Sequence, residues 1–243
     1  MKKLSSVIFD VDGVLLDSLT PHLQICEDKN LEYGLGLSIP TADNFRKMVR
    51  QGVKISPMKF FFQAVGFPSE YADLAFAQYK ETFIRDYAPK PFPQIGEMLS
   101  KLTSAGLTLG IVTSNVRPNV DAALGPNMRF FHPECIFTKD DTISDSKADA
   151  LLSAAKRFKV DISEIIYIGD QPADWMAAKE ARANFLGVTY GWGISKEDKE
   201  FPVVNNVMGI AEHILNEAIE SSNNALQGTA FPLRSKTAPE HER

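Results

Sequence analysis

"VIFDVDGVLLDS", residues 7–18, begins with a short apolar run that ends at two acids, Asp10 and Asp12, followed by Gly13. Val, Ile and Phe in a run of this length predict a buried strand. Gly13 then allows the chain to turn sharply. The stretch therefore predicts a first strand that presents two carboxylates at its carboxyl end.

Further short apolar runs rich in β-branched and aromatic residues occur at residues 107–113, 135–138, 165–170 and 185–191. Helical patterns lie between them, at residues 95–105, 147–158 and 173–183. Strands that alternate with helices are typical of an α/β fold, a parallel sheet with helices on both faces.

Residues 17–88 interrupt this alternation, because they carry several helical stretches and no convincing buried strand. They predict an inserted α-helical subdomain, with the α/β core formed by residues 1–16 and 89–219. A stripe from Leu74 to Tyr87 in the last of these helices predicts the core of a small bundle. Residues 220–243 are polar, have no sustained periodicity and predict a disordered tail.

The composition narrows the class of partner. The chain has 243 residues and a net charge of −5, which argues against a nucleic-acid-binding surface. Cys26 and Cys135 lie far apart without a CxxC spacing, so neither a disulfide framework nor a zinc site is predicted. The apolar run near the N-terminus is too short for a signal peptide or a membrane span. We therefore expect a cytoplasmic protein without a membrane partner, and nothing in the sequence indicates its oligomeric state.

Polar side chains follow the predicted strands where ligands bind in parallel α/β sheets, outside the carboxyl ends. Asp10, Thr113 and Asp170 end three of these strands. Lys147 begins a predicted helix, and Asp174 lies one turn beyond Asp170. Each of these residues alone has an ordinary structural explanation as a turn former, a helix cap or a surface lysine. Their succession at strand ends predicts that they meet at one edge of the sheet.

The predicted group of side chains suits phosphoryl transfer. With Asp12 included, its carboxylates repel one another and favour a bound cation, and Mg²⁺ prefers oxygen ligands. The cation, Lys147 and the Thr113 hydroxyl would attract a phosphoryl group. Asp10 is then positioned to attack phosphorus, and Asp12 to exchange a proton with the leaving alcohol.

These residues resemble the motifs of the haloacid dehalogenase-like hydrolase superfamily. DVDGVLLDS is similar to its first motif, VTSN to its second, Lys147 in SDSKADALLSAAK to its third and GDQPADW to its fourth. The resemblance extends from Leu4 to about Gly193 and implies a Rossmann-like sheet. Residues 17–88 correspond to the family's helical cap of the first type. Within the superfamily, the sequence is similar to the branch that contains phosphoglycolate phosphatases and β-phosphoglucomutases.

The resemblance implies a Mg²⁺-dependent phosphatase that acts through an aspartyl-phosphate on a small phosphorylated metabolite, such as phosphoglycolate or a sugar phosphate. Asp10 would be the nucleophile and Asp12 the acid/base, with Lys147 as a further catalytic group. The implied metal ligands are Asp10, the Asp12 carbonyl and Asp170, with Asp174 fixing the site. The implied phosphate-binding residues are Thr113, Ser114, Asn115 and Lys147.

Two residues of the predicted cap are candidate substrate contacts. His22 resembles a cap histidine that faces the active site in similar proteins, although a lone histidine is also a common capping residue. Arg50 lies in a basic run, and such runs are often simply solvated.

The chemistry also leaves other functions open. A phosphosugar mutase would use the same residues while keeping water from the aspartyl-phosphate. A signalling receiver domain gathers similar groups, but its phosphoacceptor lies on a middle strand and it has no helical insert. A binding protein that has lost activity would have damaged motifs, whereas the acids and the lysine are all present here.

Overall fold

The computed structural model describes residues 3–141 and 146–216. In chain order, its strands are β1 (Ser6–Phe9), β2 (Leu16–Asp17), β3 (Lys90–Pro91), β4 (Thr108–Val112), β5 (Phe131–Phe137), β6 (Ile165–Gly169), β7 (Asn184–Val188) and β8 (Val203–Val204). Six of them form the main sheet in the order β5-β4-β1-β6-β7-β8, and all neighbours are parallel. The other two, β2 and β3, form a separate antiparallel pair.

Helices fill the connections between these strands. Those described are α1 (Leu19–Tyr33), α2 (Ala42–Arg50), α3 (Met58–Ala64), α4 (Ser69–Asp86), α5 (Ile95–Ser104), α6 (Arg117–Leu124), α7 (Lys147–Phe158) and α8 (Pro172–Ala181), with 3₁₀ helices at Gly125–Phe130 and Ile162–Glu164 and a helical segment at residues 207–216. None of the described helices combines the length and the apolar character needed to cross a membrane.

Side chains alternate across the main sheet and create two apolar layers. On β1, Val7 and Phe9 pack on one face, together with α5, α6 and residues 207–216. Ile8, between them, packs on the other face against α7 and α8. The predicted α/β class, a parallel sheet with helices on both faces, is therefore confirmed.

The sheet edges differ from the prediction. Strand β5 begins at Phe131, four residues before the predicted run at 135–138. The sequence did not predict this part of the strand, because His132–Glu134 are exposed on an edge strand and show no apolar pattern. Strand β8 was not predicted at all, since it has two residues and its pairing depends on β7.

The helices α1–α4 lie between β2 and β3 and have an apolar cluster of their own, which includes Phe45, Phe61 and Phe83. We call this segment, Leu19–Asp86, the helical insert. Trp192, from the loop after β7, packs into the same cluster. The chain leaves and re-enters the core side by side, because β2 pairs with β3.

Leu74 was wrongly predicted to belong to the buried stripe of α4, since 47% of it is exposed. The buried face runs instead through Ala72, Ala75 and Phe83. Leu74 lies two residues after Ala72, which is about 200° around the helix and therefore on the far side. The domain boundaries at residues 17 and 88 stay predictions, and the predicted disordered tail at 220–243 lies outside the described residues.

Adjacent leucines on α7 offer a direct test of the layer between this helix and the sheet. Leu151 is 0% exposed against the sheet, whereas Leu152 is 38% exposed. We expect Leu151→Ala to lower the free energy of unfolding by about 2–5 kcal/mol, because it removes buried methyl groups and leaves a cavity. Leu152→Ala, the matched control, should change it by less than about 1 kcal/mol. Denaturant unfolding measures both, and equal effects would contradict the packing described.

Candidate active site

The carboxyl edge of the central strands brings the predicted site residues together. Asp10 follows β1, Thr113 follows β4 and Asp170 follows β6, and these three strands are neighbours in the sheet. All three side chains are buried. Asp174, also buried, comes from the first turn of α8, and Lys147 is the first residue of α7.

Lys147 makes two ion pairs within this group. Its Nζ lies 2.8 Å from Asp10 Oδ2 and 2.7 Å from Asp174 Oδ1. The Ser146 hydroxyl caps the start of α7 and accepts from the backbone N–H groups of Ala148 and Asp149, which stabilises the turn that carries Lys147.

The carboxylates of Asp10, Asp170 and Asp174 each offer one oxygen such that the three oxygens lie within 4.8 Å of one another. Among the described residues, the cation that forms ion pairs with them is the ammonium of Lys147. The cluster is therefore short of positive charge.

Burial and mutual repulsion shift the ionisation of this cluster. Burial raises the pKa of Asp10 to about 6, which the charge of Lys147 opposes and that of Asp174 reinforces. Burial also raises the pKa of Asp170 well above its usual range, and the neighbouring acids add to the effect. For Lys147, burial lowers the pKa, but the charges of Asp10 and Asp174 outweigh it and the pKa is raised. The lysine stays charged, and the acids favour a proton or a cation.

Asp174 is fully occupied by protein donors. Its Oδ2 accepts from the backbone N–H groups of Asp170, at 3.2 Å, and Gln171, at 3.0 Å. Its Oδ1 accepts from Lys147 and lies 3.4 Å from the Tyr167 hydroxyl. Gly169 packs directly against Asp174, and this position must be glycine because a Cβ there would lie 2.4 Å from the Asp174 Cβ. Asp174 is thus suited to fixing the site.

Asp12 and Asp170 each use one carboxylate oxygen within the protein. Asp12 Oδ2 accepts from Asn115 Nδ2 at 2.9 Å, and Asp170 Oδ2 accepts from the Trp192 backbone N–H at 2.6 Å. In the described part of the chain, the remaining Oδ1 of each is buried without a hydrogen-bond partner. A buried carboxylate oxygen needs a cation, a proton or a donor. Asp170 Oδ1, next to Asp10, therefore fits a divalent metal ligand.

The predicted phosphate-binding residues are divided between two surroundings. Thr113, Ser114 and Lys147 line a cavity of about 190 Å³, to which Ser56 of the helical insert and Lys139 also contribute. The backbone N–H of Asn115 is instead bound to Thr113 Oγ1 at 3.2 Å, while its side chain holds Asp12.

His22 is buried in the helical insert close to Asp12. Its Nδ1 is hydrogen-bonded to the Ser18 carbonyl and therefore carries the proton. Its Nε2 lies 3.0 Å from the Tyr79 hydroxyl, from which it accepts. Burial lowers the pKa of His22, and the charge of Asp12 offsets part of this. The imidazole is therefore neutral.

Arg50 is exposed at the end of α2. The arginine of this helix that contacts the core is Arg46, one turn earlier, whose Nε donates to the Gly191 carbonyl at 2.7 Å. Sequence reasoning missed Arg46, Trp192 and the polar role of Tyr79. The glycines on either side of Trp192 were an available signal, since they often mark a close approach of the backbone.

Removal of the Lys147 ammonium tests whether it stabilises the buried carboxylates. In a chelator, we expect Lys147→Met to lower the free energy of unfolding by about 3 kcal/mol, because Asp10 and Asp174 lose their buried partner. The pKa of Asp10 would then rise further, since Lys147 lowers it. A folded-state pKa above the unfolded value favours folding while the group is protonated. The deficit should therefore shrink between about pH 7.5 and about pH 5.

The matched control for this variant is Lys156→Met, an exposed lysine on the same helix. It should cost less than about 1 kcal/mol at either pH. Denaturant unfolding at both pH values measures the free energies. A loss of stability in Lys147→Met that grew toward low pH would contradict the proposed pairing of Lys147 with ionised carboxylates.

Comparison with known proteins agrees with this geometry. The family described as haloacid dehalogenase-like hydrolase matches residues 7–188. A phosphoglycolate phosphatase from Vibrio parahaemolyticus is 27% identical over 198 residues, covering 76% of this chain and 84% of that protein. An N-acetylmuramic acid 6-phosphate phosphatase from Pseudomonas aeruginosa is 26% identical over 204 residues, covering 81% and 86%.

A solved structure extends the comparison to the fold. The haloacid dehalogenase-like hydrolase from Streptococcus pneumoniae matches with a TM-score of 0.68 at 22% identity, covering 88% of this chain and 99% of that one. The family match spans both the strand that carries Asp10 and the one that ends before Asp170. The chain belongs to the haloacid dehalogenase-like hydrolases.

Proposed function

We propose that this protein is a phosphatase that hydrolyses the phosphoric monoester of a small metabolite, with Asp10 as the covalent nucleophile. The observation that carries the proposal is the buried cluster of Asp10, Asp170 and Asp174 around Lys147, which leaves Asp170 Oδ1 unpaired in the described residues. Family membership and relatives with phosphatase names support the same reaction class.

Mg²⁺ is the cation that we propose for this cluster, since its ligands are oxygens. Asp10, the Asp12 carbonyl and Asp170 would hold it, and Asp174 would fix their positions through its contacts with Lys147 and the backbone. When bound, the ion would neutralise negative charge on the phosphoryl oxygens and the carboxylates.

In the proposed reaction, Asp10 attacks phosphorus through one carboxylate oxygen, and the bond to the leaving oxygen breaks. Lys147, which stays charged, pairs with the phosphoryl oxygens, together with Thr113 and Ser114 from the shared cavity. The proposed role of the Asn115 backbone would require its N–H to move from Thr113 Oγ1 to the phosphoryl group.

Asp12 is the proposed acid/base. The Asn115 amide holds its Oδ2, so that Oδ1 is the atom left to give a proton to the leaving oxygen. After the alcohol departs, the same oxygen would take a proton from the water that attacks the aspartyl-phosphate, which releases inorganic phosphate and restores Asp10.

The helical insert is the proposed cap, which corresponds to the predicted domain at residues 17–88. It would close over Asp12 and exclude bulk water, with His22 as a candidate contact to the leaving group and Arg50, exposed at the end of α2, as a second candidate contact to the substrate. Both ring nitrogens of His22 are already bonded, to the Ser18 carbonyl and the Tyr79 hydroxyl, so a leaving group would meet the uncharged ring or the Tyr79 oxygen.

The proposed substrate is a small phosphorylated metabolite such as phosphoglycolate or a sugar phosphate, in line with the names of the two relatives. The mutase alternative is not favoured, because those relatives are named as phosphatases. A cytoplasmic location remains part of the proposal, supported by Cys26 and Cys135, which are both free and buried. The net charge of −5 favours a small molecule over nucleic acid as the partner.

Phosphate release from a panel of phosphorylated metabolites tests the reaction class, with Mg²⁺ in one arm and a chelator in the other. We expect release in the Mg²⁺ arm that the chelator abolishes. Interconversion of isomers without phosphate release would favour the mutase instead.

Asp10→Asn tests the nucleophile on the best substrate of that panel. We expect phosphate release to fall by about 10⁴-fold or more, the size of loss seen when a covalent nucleophile is removed. The fold should persist, because the amide has the shape of the carboxylate. Asp121→Asn, on the surface of α6, is the control and should retain full activity. Full activity in Asp10→Asn would contradict the assignment. Asp10→Ala should be inactive as well, and it excludes the possibility that deamidation of the new Asn has restored the aspartate.

Asp12→Ala tests the acid/base role through the leaving group. An alkyl phosphate needs protonation of its leaving oxygen, whereas a nitrophenyl phosphate does not. We expect kcat to fall by about 10²–10⁴-fold for the alkyl ester and by much less in the phosphorylation step of the aryl ester. Pre-steady-state release of nitrophenol separates that step from hydrolysis, and equal losses for the two esters would argue against a general acid.

A further inference from the structure

One loop contacts both the helical insert and the Asp170 side chain. Residues 189–195, TYGWGIS, follow β7, and we call them the β7 loop. Its backbone donates three hydrogen bonds to Asp170. The Trp192 N–H binds Asp170 Oδ2 at 2.6 Å, and the N–H groups of Gly193 and Ile194 bind the Asp170 carbonyl at 3.0 and 2.8 Å. The orientation of the Asp170 carboxylate is therefore set by this loop.

The loop fits against Asp170 without spare room. A Cβ on Gly191 would lie 2.4 Å from the Asp170 Cβ and 2.5 Å from the Gly13 carbonyl oxygen. A Cβ on Gly13 would lie 2.1 Å from Asp170 Oδ2. Small displacements of the loop must therefore move the carboxylate or break its bond to Trp192.

Arg46 of α2 holds this loop from the side of the helical insert. Its Nε donates to the Gly191 carbonyl at 2.7 Å, and its Nη2 to the Tyr190 carbonyl at 3.3 Å. Its Nη1 donates to the exposed carboxylate of Asp43 at 3.0 Å. Hydrogen bonds from a charged donor are stronger than neutral ones, and the fork matches two adjacent carbonyls.

The Trp192 side chain provides an apolar anchor beside these polar bonds. Its ring centroid lies 5.7 Å from that of Phe61, 6.3 Å from that of Phe45 and 5.2 Å from that of His22. The residue that binds Asp170 through its backbone is thus packed into the helical insert through its side chain.

We propose that Arg46 is a positioning residue for Asp170: by fixing the Tyr190 and Gly191 carbonyls, it keeps the Trp192 N–H on Asp170 Oδ2 and leaves Oδ1 directed at the bound cation. This inference rests on the proposed function for the existence of that cation. Arg46 itself does not touch the reacting atoms.

Calorimetric titration of the substrate-free full chain with Mg²⁺ tests the inference. Arg46→Ala should raise the Kd for Mg²⁺ about tenfold, the lower end of what loss of a supporting partner does to metal affinity. The Kd of Arg46→Lys should lie between those of the unmodified protein and Arg46→Ala, because an ammonium keeps the charge but lacks the planar fork. Lys47→Ala removes an exposed charge from the same helix and is the matched control, with a Kd within about twofold of the original.

A second readout follows the loop itself. Trp175 and Trp192 are the two tryptophans of the chain, so Trp175→Phe makes Trp192 the sole indole reporter. In that background, Mg²⁺ should change the fluorescence with the Kd found by calorimetry, and Arg46→Ala should shift both values together. Activity lost in Arg46→Ala should return at saturating Mg²⁺, which a general loss of structure would not allow.

The outcomes separate this inference from the proposed function. A Kd for Arg46→Ala equal to that of the unmodified protein overturns the positioning role and leaves the phosphatase proposal intact. No Mg²⁺ binding by the unmodified protein overturns the cation site and this inference with it. A loss of activity in Arg46→Ala that saturating Mg²⁺ does not restore also overturns the positioning role.

Discussion

An imbalance of buried charge governs this structure. Asp10, Asp170 and Asp174 are buried at the ends of the sheet strands and the start of α8, and Lys147 is the ammonium that pairs with two of them. Each buried ion loses several kcal/mol of hydration, which the fold must offset with fixed partners. The parallel sheet supplies these partners because neighbouring strands end at one edge. The remaining negative charge has no partner among the described residues, and under the proposed function it attracts the cation.

The carboxylate oxygens of the site fall into two groups, those bonded to protein donors and those without a hydrogen bond. Asp174 uses both of its oxygens on protein donors and therefore acts as a fixed support. Asp12 and Asp170 each give one oxygen to the protein, to Asn115 and to the Trp192 backbone, and keep the other free of hydrogen bonds within the described residues. The bound oxygen sets the direction of the free one. In the proposed reaction, the free oxygen of Asp170 would bind the cation and that of Asp12 would transfer the proton.

The sequence allowed the core of the site to be predicted because its residues occupy strand ends, which local apolar runs reveal. Asp10, Thr113 and Asp170 could be assigned to one edge in this way, and Lys147 to the start of a helix. The two-residue β8 and the exposed first half of β5 could not, since their pairing comes from neighbours distant in the chain. The contact between Arg46 and the Gly191 carbonyl joins residues 145 positions apart. The glycine indicates a close approach of the backbone at that point, but nothing in the sequence indicates that Arg46 is its partner. Tyr79 looked like one more apolar residue of a helical stripe, because its hydroxyl meets His22 only after the helices of the insert pack.

The position of the helical insert and the orientation of Asp170 are coupled, because the β7 loop contacts both. Movement of α2 away from the core would break the bonds from Arg46 and withdraw Trp192 from Phe45 and Phe61. The bond from the Trp192 N–H to Asp170 Oδ2 would then lose its support from the insert, while the N–H groups of Gly193 and Ile194 would still hold the Asp170 carbonyl. Under the proposed function, opening of the insert to release product would loosen this ligand of the cation, and closing would restore it. Under the proposed function, the site is fully assembled when the insert is closed and bulk water is excluded, so closure and catalytic competence depend on the same contacts.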